Sequence, residues 1–398
     1  MTDLPGPLSG IRVLDLTRGV AGPAATLLMG FMGADVIRVS TASRGHPDGT
    51  NPAGNNLHLG KKSIRLNLTK PNGLEIAKRI VAVSDVVLEN QRPRAVEKLG
   101  LGYEALKQIN PRIIGISLST SGYGGTEELV GLACNFVSLA GLGEVSGYPG
   151  GAPGEYVNWP DYMSGIWATF GLLYALHHRE QTGEGQFIDL SCTEALSSLV
   201  GDTLVGAAMP GQTSPTRVGN RDAWMAPHNS YRCADLTPAD GAQWLSIAVA
   251  TDAEWSALTE VMARPDLCTD PRFATGLARW HHQDELDAEI TAWTSQHSKT
   301  DLTHRLQAAG VAAFPSMSGK DLYEDPHMKA QQRWVHVDRP DVGAIDMLDA
   351  PWRFSETPAF VRAPWPLVGE HEDYVLREVL GLGDTEIEVL TGSGDVLA

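Results

Sequence analysis

Apolar and polar positions alternate along this chain with two distinct periods, and the switches between them mark its elements. Ile11–Leu16, Asp35–Val39, Ser63–Leu68, Val86–Leu88 and Ile113–Leu118 are short apolar-rich runs of strand length. Between them, Pro23–Met32 and Asn72–Ser84 carry apolar residues at helical spacing, the first with Pro23 near its opening turn. Strand and helix alternating in this way predict an open, mostly parallel sheet, and so an α/β, Rossmann-like fold.

Further on, WPDYMSGIWATF (159–170) opens a long apolar helix, predicted to start at Asp161 and to end at HHREQTG, where Gly183 can stop it. Gln186–Leu190 reads as another strand, and Ser191–Glu194 has capping-box spacing for a following helix. Residues 205–224 are polar and read as a linker. From 225 to 330, YRCADL and QWLSIAVA flank the turn TPADG, and three helical stretches follow: DAEWSALTEVM, HQDELDAEITAW and TDLTHRLQAAG. That pattern predicts a small α+β domain beside a large domain of residues 1–204. The remaining 331–398 is rich in proline and aromatics before a last helix, Glu372–Leu380, and reads as an arm returning to the large domain.

Composition narrows the class. With 398 residues, two domains are expected, and 42% hydrophobic with 20% charged residues is that of an ordinary globular protein. A net charge of −17 disfavours nucleic acid and anionic membranes as partners. No leader-like start and no long apolar run is present, and the four cysteines are scattered without a CxxC, so a reducing, cytoplasmic setting is expected.

Most familiar cofactor motifs are missing. The first βα turn, TRGVAGP, lacks GxGxxG, and Ser40 stands where a ribose-binding acid belongs. There is no GxxxxGK[ST] and no GxSxG. His281 and His282 are adjacent and point to different sides of a helix, so they read as a solvated face rather than a metal site. Two basic clusters remain: Lys61, Lys62 and Arg65 in GKKSIR, and Arg92, Arg94 and Lys98 in ENQRPRAVEK. Each is either a solvated charge run or a cradle for a small polyanion at the sheet's loop ends. Asp161 is equally open: it is a helix cap, or a carboxylate kept ionised at a helix start for chemistry.

Together, VLDLTRGVAGPAATLLMGFMGADVIRV (13–39), GKKSIRLNL (60–68), ENQRPRAVEKLGLGYEAL (89–106), WPDYMSG, ALHHREQTGEGQFIDLSCTEA (175–195), APHNSYRC and PWPLVGEH resemble the class III CoA-transferases. The ordered set covers nearly the whole chain. The resemblance implies a homodimer whose subunits interlock like links, no tightly bound cofactor, and coenzyme A with an acyl-CoA and a small carboxylic acid as substrates. It implies that Asp161 is the catalytic nucleophile. It implies coenzyme A contacts from Arg18, Ala21, Lys61, Lys62, Asn90, Arg92 and Lys98, and backbone N–H donors for developing charge from SGYGG (121–125) or the glycine loop 141–154. Val20, Trp159, Trp224, Met225 and His228 are expected to wall the acid pocket, and their bulk disfavours formate or oxalate. Two alternatives accompany this reading. One is a racemase or isomerase of the same fold, whose His–Asp pair falls near Cys134 and Asn135, neither suited to that base. The other is a non-catalytic subunit of a heteromeric transferase.

Overall fold

A computed structural model describes residues 5–40, 56–124, 129, 131–154, 159–211, 217–234, 241–339 and 341–392. The chain forms two compact units: residues 1–143, 155–214 and 330–398 make the larger, and 144–154 with 215–329 the smaller. The glycine-rich stretch from Glu144 to Gly154 therefore belongs to the smaller unit rather than to the contiguous N-terminal region.

The larger unit is built on strands β1 (Arg12–Asp15), β2 (Asp35–Ser40), β3 (Lys62–Arg65), β4 (Val86–Glu89), β5 (Ile114–Ser119) and β6 (Phe187–Ser191). All are parallel, in the order β3-β2-β1-β4-β5-β6. The chain winds outward from β1 through β3, then restarts beside β1 at β4 and winds the other way. Both faces are covered, which is why the strands read as near-continuous apolar runs. The edge strand β3 is sheathed by the C-terminal arm: His371 N–H donates to Ser63 O (2.9 Å), and Arg65 Nε donates to Glu372 (2.7 Å). That arm carries an antiparallel hairpin, Trp334–Arg339 with Gly343–Leu348, whose Val337 packs with Leu27 and Phe31 of helix α1 (Ala21–Phe31). The proline- and aromatic-rich composition hid this hairpin.

Helix α1 packs against the helix Trp159–Thr182 through a seam of small side chains. A Cβ added at Gly165 would meet Ala25 N at 2.9 Å, Ala21 O at 3.0 Å and Ala24 Cβ at 3.0 Å. One turn further, Thr169 Oγ1 lies 3.4 Å from Ala25 O. Four residues along one helix thus match four along the other, so the two run in the same direction. Asp161, one turn before Gly165, is level with the loop one turn before Ala21.

In the smaller unit, β7 (His228–Arg232), β8 (Trp244–Ala248) and β9 (Ala312–Pro315) form an antiparallel sheet. It is packed by the helices Asp252–Val261, Gln283–Thr294 and Lys299–Ala308 around Trp255, Leu286, Ile290, Leu302 and Leu306. Residues 237–240 of the expected hairpin turn lie outside the described residues. The expected linker begins later than its polarity implies, because the helix Gly201–Ala208 runs through its first residues.

The seam gives a direct test. Gly165→Val should destabilise by about 2 kcal/mol, because the added branch meets backbone that cannot yield, outweighing the helix-propensity gain over glycine. Calorimetry should show a lowered melting midpoint; an unchanged or raised one would mean the helices are not in this contact.

Candidate active site

In an open α/β sheet the ligand crevice forms at the C-terminal strand ends where the winding reverses, here between β1 and β4. Its two walls are the turn Thr17–Val20 after β1 and the turn from Asn90 after β4. Asn90 joins them: Arg18 N–H donates to its Oδ1 and its Nδ2 donates to Arg18 O, both at 2.7 Å. Arg18 and Arg92 are exposed in these turns, and Lys98 is exposed on the short helix Ala95–Lys98 that follows. Four of the residues expected to contact coenzyme A, Arg18, Asn90, Arg92 and Lys98, are thus grouped by the fold at the switch point or just beyond it. Val20 immediately precedes α1, while Ala21 is buried with its carbonyl against Gly165.

Of the neighbouring lysines, Lys61 requires a correction. Lys61 offers no charge to a ligand, because its side chain is 0% exposed and pairs with an equally buried Asp15 at 3.1 Å. Its Nζ also donates to Thr26 Oγ1 (2.7 Å) and to Pro23 O (3.1 Å). Asp15 accepts from Thr17 N–H (2.9 Å), Thr17 Oγ1 (2.5 Å) and Thr26 Oγ1 (2.6 Å). Burial opposes the Asp15 charge, but Lys61 and the threonine donors overcome it and hold the carboxyl below its usual range. Burial in turn pulls the Lys61 ammonium below its ordinary value despite Asp15. Lys62 stacks over the Tyr374 ring, 5.5 Å from its centroid, and is engaged by the C-terminal arm.

Asp161 is not the cap of its helix. The helix begins at Trp159, with Pro160 in the first turn, where a missing N–H costs no intrahelical bond. Asp161 therefore sits third in the helix, and no described residue donates a hydrogen bond or forms an ion pair with its carboxylate. Desolvation by burial pushes its pKa up to about 6. Beside it lie Ser164, fully buried with Oγ donating to Pro160 O (3.0 Å), and the buried thiol Cys192. Burial, reinforced by the Asp161 charge, pushes Cys192 up to about 11, so it stays a neutral thiol.

In both loops expected to supply N–H donors, several of those groups are already engaged. Gly122 N–H donates to Ser119 Oγ (2.9 Å) and Tyr123 N–H to Asp189 Oδ2 (2.8 Å), while Gly125 lies outside the described residues. In the smaller unit, Gly151 and Gly154 N–H donate to Tyr148 O and Ser146 O, and Arg217 holds Gly151 O. Trp159 is half-exposed at the first turn of the Asp161 helix. Trp224, Met225 and His228 belong to the smaller unit: Trp224 is 90% exposed, Asp222 Oδ1 accepts the Trp224 and Met225 N–H groups, and His228 Nδ1 lies 2.6 Å from Asn220 O. Asn135 accepts from Leu132 N–H (3.0 Å), which makes it a helix-start cap.

Sequence reasoning missed Asp15, Thr17 and Thr26. A carboxylate inside the apolar run IRVLDL was a usable signal, but its partner lies 46 residues away.

An open parallel sheet whose strand order reverses between β1 and β4 defines a doubly wound α/β protein, a class in which ligands commonly bind at such a switch point. A family model, CoA-transferase family III, matches residues 8–372. The chain is 33% identical to the succinyl-CoA–D-citramalate CoA-transferase of Chloroflexus aurantiacus, over 97% of each chain. It is 31% identical to the formyl-CoA:oxalate CoA-transferase of Streptomyces coelicolor, over 97% of this chain and 98% of that one. A solved structure, a CAIB/BAIF family protein from Brucella suis, matches with a TM-score of 0.85 at 29% identity, covering 94% of this chain and all of the other. The chain belongs to CoA-transferase family III, and it is an enzyme that moves coenzyme A between an acyl-CoA and a carboxylate.

The raised pKa of Asp161 carries a stability signature. Its folded pKa exceeds the unfolded value near 4, so the stability it contributes is present below that value and is lost as pH rises through about 6. Asp161→Asn should therefore stabilise the protein at pH 8 by about 1–2 kcal/mol, the full desolvation figure roughly halved for solvent screening, and have little effect near pH 3–4. Melting midpoints across pH test this; a destabilised variant at pH 8 would mean that Asp161 has a stabilising partner.

Proposed function

We propose that coenzyme A transfer runs through a covalent thioester on Asp161. A carboxylate attacks the acyl-CoA carbonyl; the C–S bond breaks, giving an aspartyl–acyl anhydride and coenzyme A thiolate. The thiolate then attacks the aspartyl carbonyl, and the donor acid leaves with one oxygen taken from Asp161. The aspartyl-CoA thioester is next attacked by the acceptor carboxylate, and the same steps reverse onto the new acid. One observation carries the reading: a part-buried carboxylate in the first turn of a long helix, with no partner among the described residues and a pKa still below neutrality. It is anionic at pH 7 yet poorly hydrated, and the helix N-terminus favours the charge that develops on it.

Arg18, Arg92 and Lys98, with Asn90, are the groups proposed to meet coenzyme A, their charges suiting its phosphates. Val20 and Trp159, both in the larger unit, are proposed to shape the acid pocket. Several relatives are named for succinyl-CoA or succinate, with D-citramalate, glutarate or mesaconate as the other acid, and a succinyl-CoA donor is the reading we extend to this chain. A racemase reading lacks its His–Asp pair, since Cys134 and Asn135 stand there.

Incubation with a panel of acyl-CoAs, succinyl-CoA included, followed by intact-protein mass spectrometry, should show a coenzyme A adduct on the wild type, convertible by hydroxylamine to an aspartyl hydroxamate. Asp161→Ala should form neither and should lose transfer by at least about 10³-fold. Undiminished transfer by that variant would sink the covalent reading.

The assembly proposed is an interlocked homodimer. Supporting it, Ile166, Trp167, Phe170, Leu173 and Tyr174 form an exposed apolar stripe on the Asp161 helix, a pattern that calls for a covering partner. Native mass spectrometry should find a dimer of this chain alone, and Phe170→Glu should shift it toward monomer. Activity appearing only with a second, similar chain would instead favour a heteromer, the arrangement named for the alpha and beta subunits of the Chloroflexus aurantiacus succinyl-CoA–L-malate CoA-transferase.

A further inference from the structure

We propose that the enclosed pair of Asp15 and Lys61 positions the coenzyme A crevice, an inference that rests on reading the switch point between β1 and β4 as the coenzyme A site. Both side chains are fully buried, so neither touches a ligand. Space alone does not call for charges here, since apolar isosteres fill such a site as well. What the carboxylate supplies is acceptors. Its two oxygens take Thr17 N–H and Oγ1 from the turn, and Thr26 Oγ1 from the second helical turn of α1. Lys61 neutralises that charge and ties in Thr26 and Pro23 O as well. The turn after β1 is thereby fastened to the helix that follows it.

Two further features point to the same function. Thr17 is pressed against Gly22, where an added Cβ would lie 2.4 Å from the Thr17 Cβ, so the turn sits where only a glycine leaves it room. The opposite wall is pinned from below in the same manner: buried Glu89, at the end of β4, accepts Gln91 N–H at 2.7 Å. Asn90 then bridges the two pinned turns through Arg18. The lip of the crevice is thus fixed before ligand arrives, and pre-organisation of this kind lowers the ordering cost of binding.

The test compares Asp15→Leu/Lys61→Met, which replaces both partners with apolar side chains of similar shape, with Thr26→Val, which keeps the ion pair and removes the hydroxyl between turn and helix. Asn90→Ala serves as the reference for the crevice itself. Coenzyme A affinity is read by calorimetry well below each variant's melting midpoint, with kcat at saturating acyl-CoA measured alongside. The expected result is binding weakened about tenfold in the double variant and about threefold in Thr26→Val, with kcat changed less than twofold. Wild-type affinity in Thr26→Val, or in a folded double variant, while Asn90→Ala binds weakly, overturns the positioning role and leaves the crevice reading standing. Wild-type affinity in all three overturns both. Should the double variant not fold, Thr26→Val alone decides.

Discussion

The close approach of two helix backbones at Gly165 is the constraint on which the larger unit's chemistry depends. With no side chain at that point, the Asp161 helix lies directly on α1, against Ala21, Ala24 and Ala25, and the two run in the same direction. The first turn of α1 is in turn set by the crevice turn that precedes it. One contact between small residues therefore levels the candidate nucleophile with the lip of the crevice proposed to hold coenzyme A. The side chains that form this seam carry little chemistry, which makes it easy to overlook.

Three carboxylates in this region are set apart by their surroundings. Asp15 is fully enclosed but paired, so its charge is kept and used to hold backbone. Glu89 is buried, pushed up by desolvation, and accepts the N–H of the turn after β4. Asp161 is partly buried with no described partner, and its charge is the least compensated of the three. A group held in that state weakens the fold slightly at neutral pH while remaining available to react, the usual trade at a functional site.

The sheet was legible in the sequence because a parallel sheet covered on both faces must be written as apolar runs; the predicted strands fell within one or two residues of their places, except that β3 ends at Arg65 rather than at Leu68. Asp161 was legible only through its company: WPDYMSG alone fits a capped helix, and the helix in fact starts two residues earlier, at Trp159. What local sequence did not reveal was partnership at a distance. Lys61 looked like a free cation beside a strand end, whereas tertiary packing spends it on Asp15; Lys62, half-buried, lies over the Tyr374 ring of the C-terminal arm. The glycines of SGYGG and of the 141–154 loop suggested open N–H donors, and several prove to be tied to nearby oxygens. Composition also hid the 334–348 hairpin, where the charged Arg339 stands at a buried position and so breaks the apolar–polar alternation.

The central claim is that an oxygen of Asp161 enters the reaction, and isotope transfer tests it most directly. With an acceptor acid labelled by oxygen-18 in its carboxylate, the proposed sequence leaves one labelled oxygen on Asp161 after a single turnover. Peptide mass spectrometry should then find a mass increase of about 2 Da confined to the peptide containing Asp161. Efficient transfer with no label in that peptide, or with the label on another residue, would contradict the account.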